Sequence, residues 1–207
     1  MKSLIFYDVD TQKDFMLKSG ALYVPHSEDI IENLESLTAY AQYNSIQVFG
    51  SVDRHFAKDN ELKTFPPHCM DGAEGAKKVI HTCIPDSAFI ENRPQSDRGL
   101  KLKMSKPAVY FEKQETDVFS NAYANRLSHF GAAVVYGVAT DYCVMDAVLG
   151  MRSRGIDVLV VEDAIRGVGE GSSRKAIGEM KRAGAIFVST SDIVGGKFEM
   201  MLNDMWK

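Results

Sequence analysis

The chain has 207 residues, of which 45% are hydrophobic and 25% are charged, and its formal net charge is −4. These values are typical of a soluble globular protein, and the length is most simply explained by a single domain over residues 1–207. The acidic balance and the lack of a basic cluster argue against a nucleic-acid partner.

The first apolar run is interrupted by Asp8. It is too short for a signal peptide or a membrane span, so we expect no membrane partner. The only cysteines are Cys69, Cys83 and Cys143, a sparse and odd set. Such a set fits a reducing compartment, which favours the cytoplasm.

Strand-like and helix-like patterns alternate along the chain. Apolar, β-branched runs predict six strands, at residues 4–9, 46–51, 108–111, 132–137, 157–161 and 186–189. Apolar residues at helical spacing predict helices at residues 27–43, 121–130, 145–154, 172–183 and 198–205. Ser27 is the expected N-cap of the first helix. This alternation predicts an α/β fold, a parallel sheet with helices on both faces.

The segment from about residue 52 to residue 106 breaks the alternation. It contains three of the five histidines and four of the six prolines and shows little periodicity. Irregular segments of this length inside a compact domain are usually functional. We therefore expect part of the functional site in this segment.

Chemically active side chains follow the predicted strands, where parallel sheets bind ligands. Cys143 lies where the fourth strand turns into a helix, a place expected to lower a thiol pKa and to bind an oxyanion. Asp10, after the first strand, can accept and return a proton. Lys113, after the third, would keep a nearby carboxylate ionised. The alternatives are a packing cysteine, a solvated turn and a lysine that extends into solvent.

Three residues of the irregular segment suggest a metal site. Asp53 and His55 alternate with Arg54, so they point the same way in an extended chain, and His68 follows two prolines. A carboxylate with imidazoles suits a divalent transition metal. Glu61 or Asp59 would supply a further ligand. The alternative is an ordinary surface loop.

Five motifs occur together in the sequence: Asp10-x-Gln12-x-Asp14-Phe15, Asp53-x-His55, Pro66-Pro67-His68-Cys69, Phe111-x-Lys113 and Gly137-Val138-Ala139-Thr140-Asp141-x-Cys143-Val144. In this order and spacing they resemble the isochorismatase-like cysteine hydrolases, in particular the nicotinamidases. The resemblance covers nearly the whole chain. It implies a three-layer fold with a six-stranded parallel sheet flanked by helices.

The resemblance also implies roles for individual residues. Asp10, Lys113 and Cys143 would form a catalytic triad. A cis peptide between Val138 and Ala139 would direct the N–H groups of Ala139 and Cys143 into an oxyanion hole. One divalent ion (Zn²⁺, Fe²⁺ or Mn²⁺) would be held by four side chains, and three residues would contact the substrate. The metal ligands are Asp53, His55, Glu61 and His68, with Asp59 as the alternative to Glu61, and the substrate contacts are Phe15, Phe65 and Val138.

The implied reaction is hydrolysis of nicotinamide to nicotinate and ammonia through a thioester, with the metal binding the pyridine nitrogen. Two features depart from the family pattern: Phe65 replaces a common tryptophan, and residues 114–119 lack the usual tyrosine and serine. The main alternative is the same triad acting on another small amide, imide or carbamoyl compound. The second alternative is a non-catalytic binding or scaffold protein with the same fold, and the complete triad argues against it. The sequence leaves a homo-oligomer open.

Overall fold

A computed structural model describes residues 3–198 together with Met200 and Leu202. In this part of the chain, seven strands form one parallel sheet, so the prediction of six strands is wrong by one. The strands are β1 (Leu4–Val9), β2 (Val48–Asp53), β3 (Ala88–Ile90), β4 (Ala108–Lys113), β5 (Ala132–Val138), β6 (Asp157–Arg166) and β7 (Ile186–Val188). The unpredicted strand is β3, whose three residues are too few to show a periodic pattern.

The strand order in the sheet is β3-β4-β2-β1-β5-β6-β7. The chain therefore starts in the middle of the sheet, builds one side and then builds the other from β5. Ligand sites in such sheets lie beyond the carboxyl ends of the strands where the winding reverses. In this chain that point is next to β1 and β5.

Among the described residues, six α-helices cover the two faces of the sheet: α1 (Lys13–Met16), α2 (Ile31–Tyr43), α3 (Asp97–Met104), α4 (Met145–Ser153), α5 (Glu170–Arg182) and α6 (Thr190–Val194). One core contains buried residues of α1, α2 and α6, and the other contains those of α3, α4 and α5. Alternate residues of β1 enter the two cores, with Phe6 in the first and Tyr7 in the second. The predicted three-layer α/β arrangement is therefore present.

Several predicted helices differ in detail. Ser27 does not cap α2, because its hydroxyl donates to the Phe15 carbonyl at 2.9 Å and residues Ser27–Ile30 form a 3₁₀ turn. The helix predicted at residues 121–130 is a 3₁₀ helix, Ala122–His129. The last predicted helix, at residues 198–205, lies largely outside the described residues. None of the described helices is long and apolar enough to cross a membrane.

Residues 52–106 are less irregular than predicted. They contain β3, α3 and three short 3₁₀ turns, Asn60–Lys63, Glu74–Ala76 and Ile80–Thr82. These turns are too short to produce a detectable apolar period. The long connection from β2 is thus a chain of small turns beside the carboxyl edge of the sheet.

Candidate active site

Four neighbouring strands bring the three predicted catalytic residues and one predicted metal ligand to one edge of the sheet. Lys113 is the last residue of β4 and Asp53 is the last residue of β2, and the two are paired in the sheet. Asp10 follows β1, and Cys143 lies in a π-helical turn, Thr140–Val144, that follows β5. All four side chains are buried.

Lys113 is at the centre of this group. Its Nζ lies 2.9 Å from Asp10 Oδ2 and 3.3 Å from Cys143 Sγ. It also donates a short hydrogen bond to Asp53 Oδ1. The sequence predicted the contacts with Asp10 and Cys143. It did not predict that Lys113 also binds Asp53, because that contact depends on the strand order.

The ionisation of the buried thiol differs from the expectation. Burial raises the pKa of Cys143 well above its usual value, and the charges of Asp10 and Asp53 raise it further against the opposing effect of Lys113. The expected lowering by the strand-to-helix turn is therefore outweighed. The arrangement favours a protonated thiol next to a carboxylate.

Asp10 has the geometry of a proton acceptor. Its backbone adopts φ +47°, so the chain turns sharply where β1 ends. Burial raises the pKa of the Asp10 carboxyl, as does the Asp53 charge, while Lys113 lowers it. Neither carboxylate oxygen accepts an aligned hydrogen bond from a described residue. The ion pair with Lys113 thus leaves lone pairs free for a proton.

Asp53, His55 and His68 converge in the way the metal prediction requires. His68 Nε2 lies 3.5 Å from Asp53 Oδ2, and His55 Nε2 lies 3.7 Å from the same oxygen. Burial alone would raise the pKa of Asp53, but Lys113 and the two imidazoles hold it well below its usual value. Potential ligand atoms of these three residues all lie within 4.8 Å of one another.

Glu61 and Asp59 lie on opposite sides of the His55 ring. Glu61 Oε2 is 3.6 Å from Nε2, the nitrogen that faces Asp53. Asp59 Oδ2 is 3.2 Å from Nδ1 and also accepts from the Phe56 N–H, so it is placed to orient the ring. His55 Nε2 and Glu61 Oε2 are buried and have no hydrogen-bond partner among the described residues. These unpartnered atoms fit a cation held by Asp53, His55, Glu61 and His68 better than by Asp59.

A cavity of about 200 Å³ adjoins both groups of residues. Asp10 and Cys143 lie on its wall, as do Asp53, Glu61 and His68. Phe15, Phe65, Val138 and Ala139 also line it. The Phe15 ring centroid is 5.4 Å from that of His68. The structure therefore brings the predicted substrate-contact residues to the cavity.

Further lining residues were not predicted: Leu22, Tyr23, Val24, Thr116, Tyr142 and Val168. The Tyr142 ring is edge-on to Phe65, with centroids 5.7 Å apart. Its position next to Cys143 was the only sequence signal. The remaining lining residues lie in connections between helices and strands, and the sequence of such connections has no periodic pattern that predicts their path over the sheet.

The turn that carries Cys143 has the predicted cis peptide between Val138 and Ala139. The Ala139 carbonyl accepts from the N–H groups of Tyr142 and Val144 at 3.0 and 3.1 Å. Asp141 accepts from the N–H groups of Val168 and Gly169, at 2.9 and 3.1 Å, just before α5. The turn that carries Cys143 is thus tied to the cavity wall at Val168. The oxyanion hole at Ala139 and Cys143 stays a prediction.

Comparison with known proteins agrees with this architecture. The profile of the isochorismatase domain matches residues 4–192. The nicotinamidase of Escherichia coli is 27% identical over 205 residues, covering 89% of this chain and 93% of that protein.

Two solved structures share the fold. The pyrazinamidase of Pyrococcus horikoshii in complex with zinc has a TM-score of 0.72 and 23% identity, covering 90% of this chain and 99% of that one. PnC1 of L. infantum in complex with nicotinate has a TM-score of 0.73 and 21% identity, covering 92% and 94% of the two chains.

Proposed function

The chain belongs to the isochorismatase family, and we propose that it is a metal-dependent cysteine amidohydrolase that converts nicotinamide to nicotinate and ammonia. The observation that carries the proposal is that one cavity is bordered both by the Cys143 thiol and by the proposed ligands Asp53, Glu61 and His68. A substrate in this cavity would present an amide to the thiol and a ring atom to a cation. Sequence similarity to a nicotinamidase supports the same chemistry.

Asp10, Lys113 and Cys143 would carry out the covalent chemistry. Asp10 accepts the thiol proton as Cys143 Sγ attacks the amide carbon, and it returns that proton to the departing nitrogen, which leaves as ammonia. Water then attacks the thioester, with Asp10 again as base, and releases nicotinate and the thiol. Lys113, 2.9 Å from Asp10 and 3.3 Å from the sulfur, would stabilise the negative charge that moves between them.

The backbone of the turn that carries Cys143 would stabilise the tetrahedral intermediate. We assign the oxyanion hole to the N–H groups of Ala139 and Cys143, and each such donor typically contributes about 3 kcal/mol. The metal bound by Asp53, His55, Glu61 and His68 would supply a Lewis acid for the lone pair of a heteroaromatic nitrogen. Phe15 and Phe65 would pack against the ring.

The cavity wall distinguishes this proposal from some of its rivals. No lysine or arginine is among the lining residues in the described part of the chain, and three of those residues are carboxylates. A carbamoyl compound with a carboxylate of its own would therefore have no cationic side chain to pair with there, and could pair only with the proposed ion. The side chains of the wall thus favour a neutral amide.

The test is a comparison of kcat/KM for nicotinamide, pyrazinamide and benzamide on metal-loaded protein. Nicotinamide and pyrazinamide have a ring nitrogen at the same distance from the amide, and both should be hydrolysed. Benzamide has the same shape without the nitrogen and should be much poorer. Equal values for nicotinamide and benzamide would show that the ring nitrogen is not recognised, and would favour an amidase for another small amide.

A further inference from the structure

The pairing between β1 and β2 ends before β2 does. Val9 pairs with Ser51, and the Asp10 N–H donates to the Ser51 carbonyl at 3.1 Å. The positive φ of Asp10 then turns the main chain away. Asp53, two residues further along β2, therefore has a strand neighbour on the Lys113 side only.

The side chain of Gln12 takes the place of the missing strand. Its Oε1 accepts from the Asp53 N–H at 2.6 Å, and its Nε2 donates to the Asp53 carbonyl at 2.7 Å. The same Nε2 donates to the Ala76 carbonyl at 2.8 Å. Gln12 is fully buried. Its amide thus holds both backbone groups of Asp53 and links them to the 3₁₀ turn Glu74–Ala76, which follows His68 in the chain.

The backbone of Asp53 determines where its carboxylate lies. That carboxylate binds Lys113 through Oδ1 and faces His55 and His68 through Oδ2. A small rotation of the Asp53 peptide would therefore displace both the ion pair and the ligand cluster. Gln12 is not among the residues that line the cavity. The direct route from the Gln12 amide to the site is therefore its pair of hydrogen bonds to the Asp53 backbone.

We propose that Gln12 is a positioning residue of the metal site, which fixes Asp53 by completing the end of β2 with its side-chain amide. The inference rests on the proposed function only for the presence of the metal. Loss of a group that orients a metal ligand typically weakens metal binding 10–100-fold. We expect a loss of that size when the Gln12 amide is removed.

Gln47 provides a matched control. Its Nε2 also donates to two backbone carbonyls, those of Met104 and Lys106, at 2.8 and 3.0 Å. It precedes β2 at the opposite end from Asp53, roughly 20 Å away at about 3.3 Å per residue. Replacing either glutamine by methionine keeps the side-chain length and removes the same kind of hydrogen bond. Only Gln12 bonds to a proposed ligand.

The experiment measures the Zn²⁺ dissociation constant of apo protein by chelator competition, without substrate, and the melting temperature of each apo variant. Gln12→Met should bind Zn²⁺ about 10–100-fold more weakly than wild type. Gln47→Met should lower the melting temperature of the apo protein and leave the dissociation constant within about twofold of the wild-type value. If Gln12→Met does not fold, Gln12→Asn, which shortens the side chain without adding charge, gives the same comparison, with Gln47→Asn as its control.

Two outcomes would overturn the inference, and only the second would also overturn the proposed function. A Gln12 variant with wild-type Zn²⁺ affinity would refute the positioning role and leave the proposed function intact. A wild-type protein that binds no Zn²⁺, Fe²⁺ or Mn²⁺ would refute the metal site itself, and with it both proposals. Turnover of nicotinamide enters neither comparison.

Discussion

Cys143 differs from the other two cysteines in what it contacts. It is buried against Lys113 and faces the cavity, whereas Cys83 is exposed and Cys69 lies in the turn after His68. We expect Cys143→Ala to abolish turnover, because no other described thiol borders the cavity. Metal content and melting temperature should stay at wild-type values, and Cys83→Ala should keep near-wild-type kcat. Residual activity of Cys143→Ala above a few per cent would remove the nucleophile assignment.

Lys113 is a buried cation that forms ion pairs with two buried carboxylates, those of Asp10 and Asp53. Removing one partner of such a pair leaves uncompensated charge, which typically costs 3–5 kcal/mol. We therefore expect Lys113→Met to lose kcat and also to lower the free energy of unfolding by about that amount. Denaturant titration of the apo protein gives the second value.

Asp10→Asn is the matched comparison for Lys113→Met. It should lose kcat but little stability, since burial already disfavours the charge of this carboxyl and raises its pKa. Full kcat in Lys113→Met would instead support a lysine without a catalytic role. Equal stability losses in the two variants would contradict the charge-pairing argument.

At this scale the sequence could predict the positions of the triad residues and their grouping, but not the ionisation of Cys143 or the orientation of the His55 ring. The positions of Asp10, Lys113 and Cys143 after apolar strands were visible, as was the Asp53-x-His55 spacing. The direction of the Cys143 pKa shift was not, because it depends on burial and on Asp10 and Asp53, which other strands supply. The choice between Glu61 and Asp59 likewise depended on which nitrogen of His55 each one faces.

The approach of β5 to β1 depends on a glycine. Gly137 has φ +120°, and a Cβ at this position would lie 2.1 Å from the Val9 carbonyl oxygen. We expect Gly137→Ala to lower the free energy of unfolding by about 2 kcal/mol or more, from backbone strain and overpacking together. It should also lower kcat, because Val9 precedes Asp10 and Gly137 leads into the turn that carries Cys143.

Gly178 is the control for this prediction. It lies inside α5, and a Cβ there would meet nothing within 4 Å. Gly178→Ala should therefore stabilise the protein by roughly 0.5–1 kcal/mol, as expected for a helix interior. Thermal unfolding of both variants measures the difference. A Gly137→Ala protein as stable as wild type would show that the two strands can separate without cost.

The elements that the sequence predicted well are those with long apolar periods. The bounds of β1 were predicted without error, and those of β4, β5 and α5 within two residues at each end. β6 continues five residues beyond its prediction because its sheet pairing resumes after an irregularity opposite Val135 and Gly137. Ser27 resembled a helix cap, but the Phe15 carbonyl takes its hydroxyl. Side chains that bond across the fold override such local signals.

At the scale of the molecule, the order of the strands assembles the site. Lys113, Asp53, Asp10 and Cys143 belong to β4, β2, β1 and β5 or to the turns that follow them, and these strands are neighbours in the sheet. Alternation of strands and helices predicted a parallel sheet and a functional carboxyl edge. The path of residues 52–106 was not predictable in this way, because turns of three or four residues carry too little pattern. Side-chain bonds such as those of Gln12 and Asp14 to this segment hold it in place instead.

Metal removal should therefore affect the stability of the whole domain as well as its activity. His55 Nε2 and Glu61 Oε2 are buried without partners among the described residues, and an ion would satisfy both. A ligand at 100 times its dissociation constant stabilises the folded state by about 2.7 kcal/mol, which corresponds to a rise in melting temperature of roughly 5–11 °C for a domain of this size. We expect chelated protein to be inactive, and Zn²⁺ to restore both turnover and this shift.

Two variants locate the ion that produces the shift. His68→Ala removes a proposed ligand and should abolish it. His26→Ala alters the exposed cluster of His26, Glu28 and Asp29, whose ligand atoms also lie within 4.8 Å of one another. That variant should keep the full shift, because solvated groups on the surface gain little from an ion that they must compete with water to bind. A shift that disappeared in His26→Ala and persisted in His68→Ala would place the metal at the surface and detach it from the cavity.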